Sequence, residues 1–239
     1  VVKEGGGGCG TEEGISLITV INPGSDSKFY NHFEAKYTDD AVTHELGHFR
    51  GIIDIYNHPI EASNNHVNGE AFKPIQDIMN GYTYGDPEDC FWNDYSLRII
   101  NINKEKKIVD IINRTMYDYF ADKLRIEVTE GGKPVNKYMI KFFENKHENG
   151  KNTIPANNIY ETKEHNGDDN VFECDTRKLF YKNPDNNIWQ RRTMFLVEIS
   201  YNDKKAYKFL ADYEVHNQGL IDKAEDKKKE SVYVLKFEL

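Results

Sequence analysis

His44-Glu45-Leu46-Gly47-His48 sets two imidazoles four residues apart with a carboxylate beside the first, and Gly51 and Asp54 follow three and six positions later. On a helix, His44 and His48 project from one face one turn apart, so both ring nitrogens can reach a single tetrahedral ion such as zinc. Glu45 then leans over the coordination position left open, where it could take a proton from a water on the ion. Gly51 suits a left-handed residue that stops the helix and turns the chain back, which brings Asp54 round as an oxygen ligand. Two surface histidines on an ordinary helix would require neither the glycine nor the aspartate at those steps.

The run HELGHFRGIID resembles the HExxHxxGxxH/D signature of the metzincin zinc endopeptidases, in the Asp form of the snapalysin-like members. Met79 lies 25 residues beyond Asp54, and its surroundings Asp77-Ile78-Met79-Asn80-Gly81 resemble the Met-turn that underlies the metal in that clan. The resemblance covers about residues 1 to 117 and is specific from 43 to 82. It implies one catalytic zinc held by His44, His48 and Asp54, Glu45 as the catalytic acid and base, and Met79 as a floor under the metal. It also implies hydrolysis of protein or peptide substrates in a secreted or cell-surface setting of bacterial type. Calcium is compatible with the resemblance, but no motif indicates it.

His58 is the rival third ligand, because imidazole is the commoner zinc ligand, although its spacing of ten from His48 departs from the family pattern. An anionic Asp54 would lower the net charge of the centre and make zinc a weaker Lewis acid than three imidazoles would. Some metzincins place a tyrosine two residues after the Met-turn methionine. Here that position is Gly81, so Tyr82 and Tyr84 are the candidates for stabilising a transition-state oxyanion, against a packing role. Two other functions share these residues. One is a surface binding or adhesion protein built on a degenerate protease domain, and the other a zinc hydrolase of a non-peptide amide.

A net charge of -9 supplies no basic surplus for phosphates, which argues against nucleic-acid binding. No apolar run approaches the length of a transmembrane segment. Cys9, Cys90 and Cys174 lie far apart, so at most one bridge is expected. The chain opens on Val1 and places 43 residues before His44, short for the upper half of a metzincin. The expectation is a product trimmed upstream, or a reduced member that begins inside its catalytic domain.

Within that domain, Gly5 to Gly10 read as a flexible cleft rim rather than a phosphate loop, since Thr11-Glu12-Glu13 offer acid where Lys-Ser/Thr is needed. Ile15 to Ile21 read as a buried strand against which an extended substrate could pair. A helix from Thr38 or Asp39 through His48 should turn Ala41, Val42, Leu46 and Phe49 to the core. Residues 25 to 37, with His32, read as a surface loop, and 61 to 76 as an Asn-rich loop at the cleft. Helical periodicity runs from Phe91 to about Tyr119, in two helices separated at 101–104.

From Lys123 the period changes to two. Leu124–Thr129 and Val135–Phe143 read as a hairpin, with further strands at 171–174, 193–201, 205–211 and 232–239 and a turn at Asn202-Asp203. His147, His165 and His216 read as surface residues, and Lys223 to Glu230 as a solvated loop. The expected fold is therefore α+β: a zincin-like (metzincin) catalytic domain over 1–119, and an all-β immunoglobulin-like sandwich over 120–239 that could engage a glycan or protein.

Overall fold

The structure is a computed structural model that describes residues 8–12, 15–19, 43–44, 46–48, 50–55, 57–80, 91–104, 116, 118–148, 151–182 and 191–239. The chain is mixed α+β with strands predominating, and divides into two units that are interleaved in sequence. One comprises Val1–Tyr56 with Ile75–Asp118, and the other Asn57–Pro74 with Tyr119–Leu239. No helix among the described residues is long and apolar enough to cross a membrane.

In the first unit, β1 (Gly8–Glu12) pairs antiparallel with β2 (Ile15–Thr19) in the register Gly8↔Thr19 to Glu12↔Ile15. The last part of the glycine run is thus a strand where a loop was expected. A short helix carries Thr43, His44, Leu46, Gly47 and His48. Leu46 is 47% exposed, so it does not join the core as its apolar character suggested. Helix α1 (Asp94–Asn103) starts at Asn93, whose side chain accepts from the amides of Tyr95 and Ser96, and it ends at Asn103, within the break expected at 101–104. Its buried face, Tyr95, Ser96, Ile99 and Asn103, is half polar.

The second unit contains β3 (Lys123–Glu130), β4 (Lys133–Pro134), β5 (Lys137–Glu144), β6 (Lys146–Glu148), β7 (Lys151–Thr153), β8 (Ile159–Asn166) and β9 (Val171–Asp175). These are followed by α2 (Thr176–Phe180), β10 (Met194–Tyr201), β11 (Lys204–Ala211), α3 (Asp212–Asp222) and β12 (Val232–Glu238). One sheet runs β11-β10-β5-β8; the other has β3 between β12, which is parallel to it, and antiparallel β9 and β4. Leu124, Ile126 and Val128 on β3 are buried at every second position, as are Tyr138, Ile140 and Phe142 on β5. Tyr138 Oη donates to the carbonyl of Ile126 at 3.4 Å, so these two faces meet.

β3 and β5 are therefore not a hairpin. The chain turns back at Gly131 and Gly132, with φ of 55° and 73°, pairs only over Lys133–Pro134, and then crosses to the other sheet. Proline has no amide hydrogen to continue the ladder. The expected turn at Asn202 is present, with φ 51° between β10 and β11.

β10 is buried on both faces. Its outer face, Met194 and Leu196, packs with Phe143, Ile154 and Ala211 against Ile60 and Phe72. Ile60 and Phe72 bridge to each other, and Asn65 bridges to Ile154, so residues 57–74 form a cover on the β sheet rather than a loop of the first domain. Phe142 and Phe143 lie on opposite faces of β5, as consecutive strand residues do, and the register with β8 shifts between them. Glu198 on the same outer face is buried among Tyr207 Oη at 2.8 Å, Lys205 Nζ at 3.1 Å and Lys141 Nζ at 3.5 Å.

The second unit also departs from an all-β reading through α2 and α3. His216 on α3 is buried and stacks on Phe120 at 6.3 Å between ring centres, and His165 is buried against Tyr138 at 4.7 Å. Both were expected at the surface; His147 is the one that is exposed. Lys223 is 2% exposed and donates to the Phe120 carbonyl at 3.0 Å and to Asp122 at 2.9 Å. Only residues 224–230 of that charge run are solvated.

Candidate metal centre

The motif helix ends where the sequence requires it to. The Gly51 amide donates to the His48 carbonyl at 2.9 Å, the Ile52 amide donates to the Gly47 carbonyl at 3.2 Å, and Gly51 has φ 87°. This pair of bonds with a left-handed glycine is a Schellman stop. Asn103 at the end of α1 donates to the Arg50 carbonyl at 3.0 Å, filling an acceptor that the helix end exposes. The chain reverses, Ile52, Ile53 and Ile55 bury, and Asp54 comes back toward the helix.

His44 Nε2 lies 3.0 Å and His48 Nε2 3.5 Å from Asp54 Oδ1. The two rings stand edge to face, with centres 4.9 Å apart and planes at 87°. His44 Nδ1 donates to the Ile78 carbonyl at 2.9 Å, and His48 Nδ1 donates to the Ile52 carbonyl at 2.8 Å. Carbonyl oxygens only accept, so each Nδ1 carries a hydrogen and each Nε2 is the nitrogen offered inward. All three residues are buried. Burial opposes the charge on Asp54, but the close approach of His44 and His48 outweighs it and holds the carboxyl well below the usual carboxylate range.

His44, His48 and Asp54 thus form a group that can hold a metal ion, with ligand atoms all within 4.8 Å of one another. Two imidazole lone pairs and a carboxylate oxygen converging in a buried place require a proton or a cation among them. For a tetrahedral ion with bonds near 2.0–2.1 Å, ligand atoms lie about 3.3 Å apart, which the two nitrogen-to-oxygen distances straddle. His58 is not in this group; it belongs to the second unit, where its ring centre is 6.1 Å from that of His147.

Beneath the helix lies a 3-10 turn, Ile78–Asn80, whose three residues are buried. The Met79 carbonyl accepts from the Ile55 amide at 3.0 Å, which ties the turn to the strand of chain that carries Asp54. Gly47, between the two histidines, faces it: a Cβ there would stand 2.6 Å from Met79 Sδ and 2.6 Å from a ring carbon of Trp92. Met79 therefore lies under the helix that presents the histidines. Gly47→Ala is expected to cost about 1–3 kcal/mol by overpacking, read as a lowered denaturant midpoint of the purified chain.

Glu45, Tyr82 and Tyr84, with His32 and Cys90, lie outside the described residues, whereas Cys9 lies in β1 opposite Ile18. The sequence reading missed Asp77, whose carboxylate ties the turn to α1, and Asn103. An acidic residue two before Met79 was visible in the sequence but had no period or motif to mark it. No family model matches the chain, and no curated protein is significantly similar to it.

Proposed function

We propose that the chain is a zinc-dependent endopeptidase. The observation that carries this is the convergence of His44 Nε2, His48 Nε2 and Asp54 Oδ1 in a buried site, with both Nδ1 atoms committed to carbonyls. Zinc rather than calcium or magnesium suits two imidazoles and one carboxylate, since the harder cations take oxygen ligands. A bound zinc would supply Lewis acidity to the scissile carbonyl and make water acidic enough to lose its proton near neutral pH.

The chain's own groups do the rest. His44, His48 and Asp54 would supply three ligands to a tetrahedral ion, and water would take the fourth position. Glu45, the residue after His44, accepts the proton from water and returns it to the departing amine. An extended peptide adds main chain to main chain at β2, which among the described residues pairs with β1 alone. By its resemblance to the metzincins the enzyme would meet protein substrates outside the cell, and the β unit would offer a surface for a glycan or protein.

The test is zinc content and casein cleavage of the purified full chain. One zinc per chain and cleavage abolished by a chelator and restored by added zinc is the expected result, with both zinc and cleavage lost in His48→Ala. Zinc bound at one per chain without cleavage of any unfolded protein would overturn the peptidase and leave a metal-holding binding protein.

A further inference from the structure

Asp77 is wholly buried, yet its carboxylate is not one of the three converging ligands. Its Oδ1 accepts from the Met79 amide at 2.8 Å, and its Oδ2 accepts from the Asn93 amide at 3.1 Å and from Ser96 Oγ at 2.6 Å. The Asn80 amide closes back on the Asp77 carbonyl at 2.9 Å, and Asn80 Nδ2 donates to the Ile75 carbonyl at 2.8 Å. The residue enclosed by these bonds is Ile78, whose amide donates to the Phe91 carbonyl at 3.0 Å and whose own carbonyl takes the Nδ1 hydrogen of His44.

We infer that Asp77 is a positioning residue for the metal: by pinning the 78–80 turn to the first turn of α1, it aims the Ile78 carbonyl that fixes the tautomer and tilt of His44. The inference rests on the metal-holding role of His44, His48 and Asp54. A metal-bound imidazole is only as well aimed as the acceptor on its other nitrogen. The Ile78 carbonyl sits on a three-residue turn that belongs to no sheet or long helix among the described residues, so its direction depends on the groups that hold the turn. Asp77 holds it at the amide of Met79 on one side and at the start of α1 on the other.

Ser96 has a part in this. A serine in the first turn of a helix commonly satisfies its own backbone, but here its hydroxyl is buried and donates to Asp77. Asp77→Asn keeps the shape and removes the charge, while turning an amide toward the Asn93 N–H and Ser96. Ser96→Ala keeps the charge and removes one donor.

The experiment measures cobalt(II) and zinc(II) dissociation constants of the full chain by competition with a chromophoric chelator, together with the visible absorption of the cobalt form. Asp77→Asn is expected to weaken binding about 10–100-fold and to shift the cobalt bands, because the tilt of one ligand changes. Ser96→Ala is expected to weaken it about 3–10-fold. A role confined to packing would lower the melting temperature and leave both the constants and the bands where they are. Wild-type constants and bands in folded Asp77→Asn, or in folded Ser96→Ala should Asp77→Asn fail to fold, overturn the inference. A wild-type chain that binds neither ion overturns the metal centre itself, and that outcome is separate from the first.

Discussion

If the chain is the endopeptidase proposed above, Glu45→Gln is expected to lower hydrolysis of an unfolded protein by about 10²–10⁴-fold, the range over which a general base contributes, while zinc content stays at one per chain. Glutamine has the length of glutamate but no basic oxygen, so it can neither accept the proton from water nor deliver it to the amine. None of the three converging ligand atoms belongs to Glu45, so the zinc dissociation constant should match wild type. His48→Ala is expected to lose both properties together, and the contrast between the two variants would separate holding the metal from using it. Progress curves with a fluorescent protein substrate, alongside zinc content, read both. Turnover within tenfold of wild type in Glu45→Gln would remove the assignment of Glu45.

The second large effect lies in the β unit, and its direction opposes helix propensity. On an exposed helix Gly→Ala stabilises by about 1 kcal/mol. Gly219 is instead the point where α3 touches the backbone, since a Cβ there would fall on the carbonyl oxygen of Tyr119 and 2.8 Å from the Ala121 amide nitrogen. Neither atom is at the end of a flexible side chain. Gly219→Ala must push α3 away from residues 119–121, where Phe120 packs on Phe180, Tyr181 and His216. A loss of more than about 3 kcal/mol is expected, near 10 °C in melting temperature for a unit of this size. Thermal unfolding followed by circular dichroism measures it, and a melting temperature at or above wild type would refute the close approach.

The metal group was legible because its information is local. His44, His48, Gly51 and Asp54 lie within eleven residues, and helix geometry with a glycine stop converts that spacing directly into convergence. Met79 was legible only through resemblance, and the structure places it under Gly47. Most strands of the β unit were legible from alternation, as in Leu124, Ile126 and Val128.

Helix α3 was not, for a specific reason. Its buried positions Asp212, Val215, His216, Gly219 and Leu220 have helical spacing, but three of the five are not hydrophobic. Asp212 is there because Arg191 Nε at 2.6 Å and Asn57 Nδ2 at 2.8 Å satisfy it, and Gly219 because of Tyr119. Partners so distant in sequence leave no periodic trace. The same holds for residues 57–74, whose Asn-rich character hides the two anchors, Ile60 and Phe72, that bind it to β10.

That segment has an evolutionary consequence. The chain enters the β unit between Asp54 and Met79 and returns before entering it a second time at Tyr119, so no single cut separates the two units. A module appended by one recombination event would leave one seam; this protein has three, at 56/57, 74/75 and 118/119. Transplanting residues 119–239 to another protein would strip the cover from β10, and deleting them would leave Ile60 and Phe72 without the strand they pack on. The two units therefore cannot be exchanged by a single crossover, and any transfer of the β unit would have to carry residues 57–74 along with 119–239.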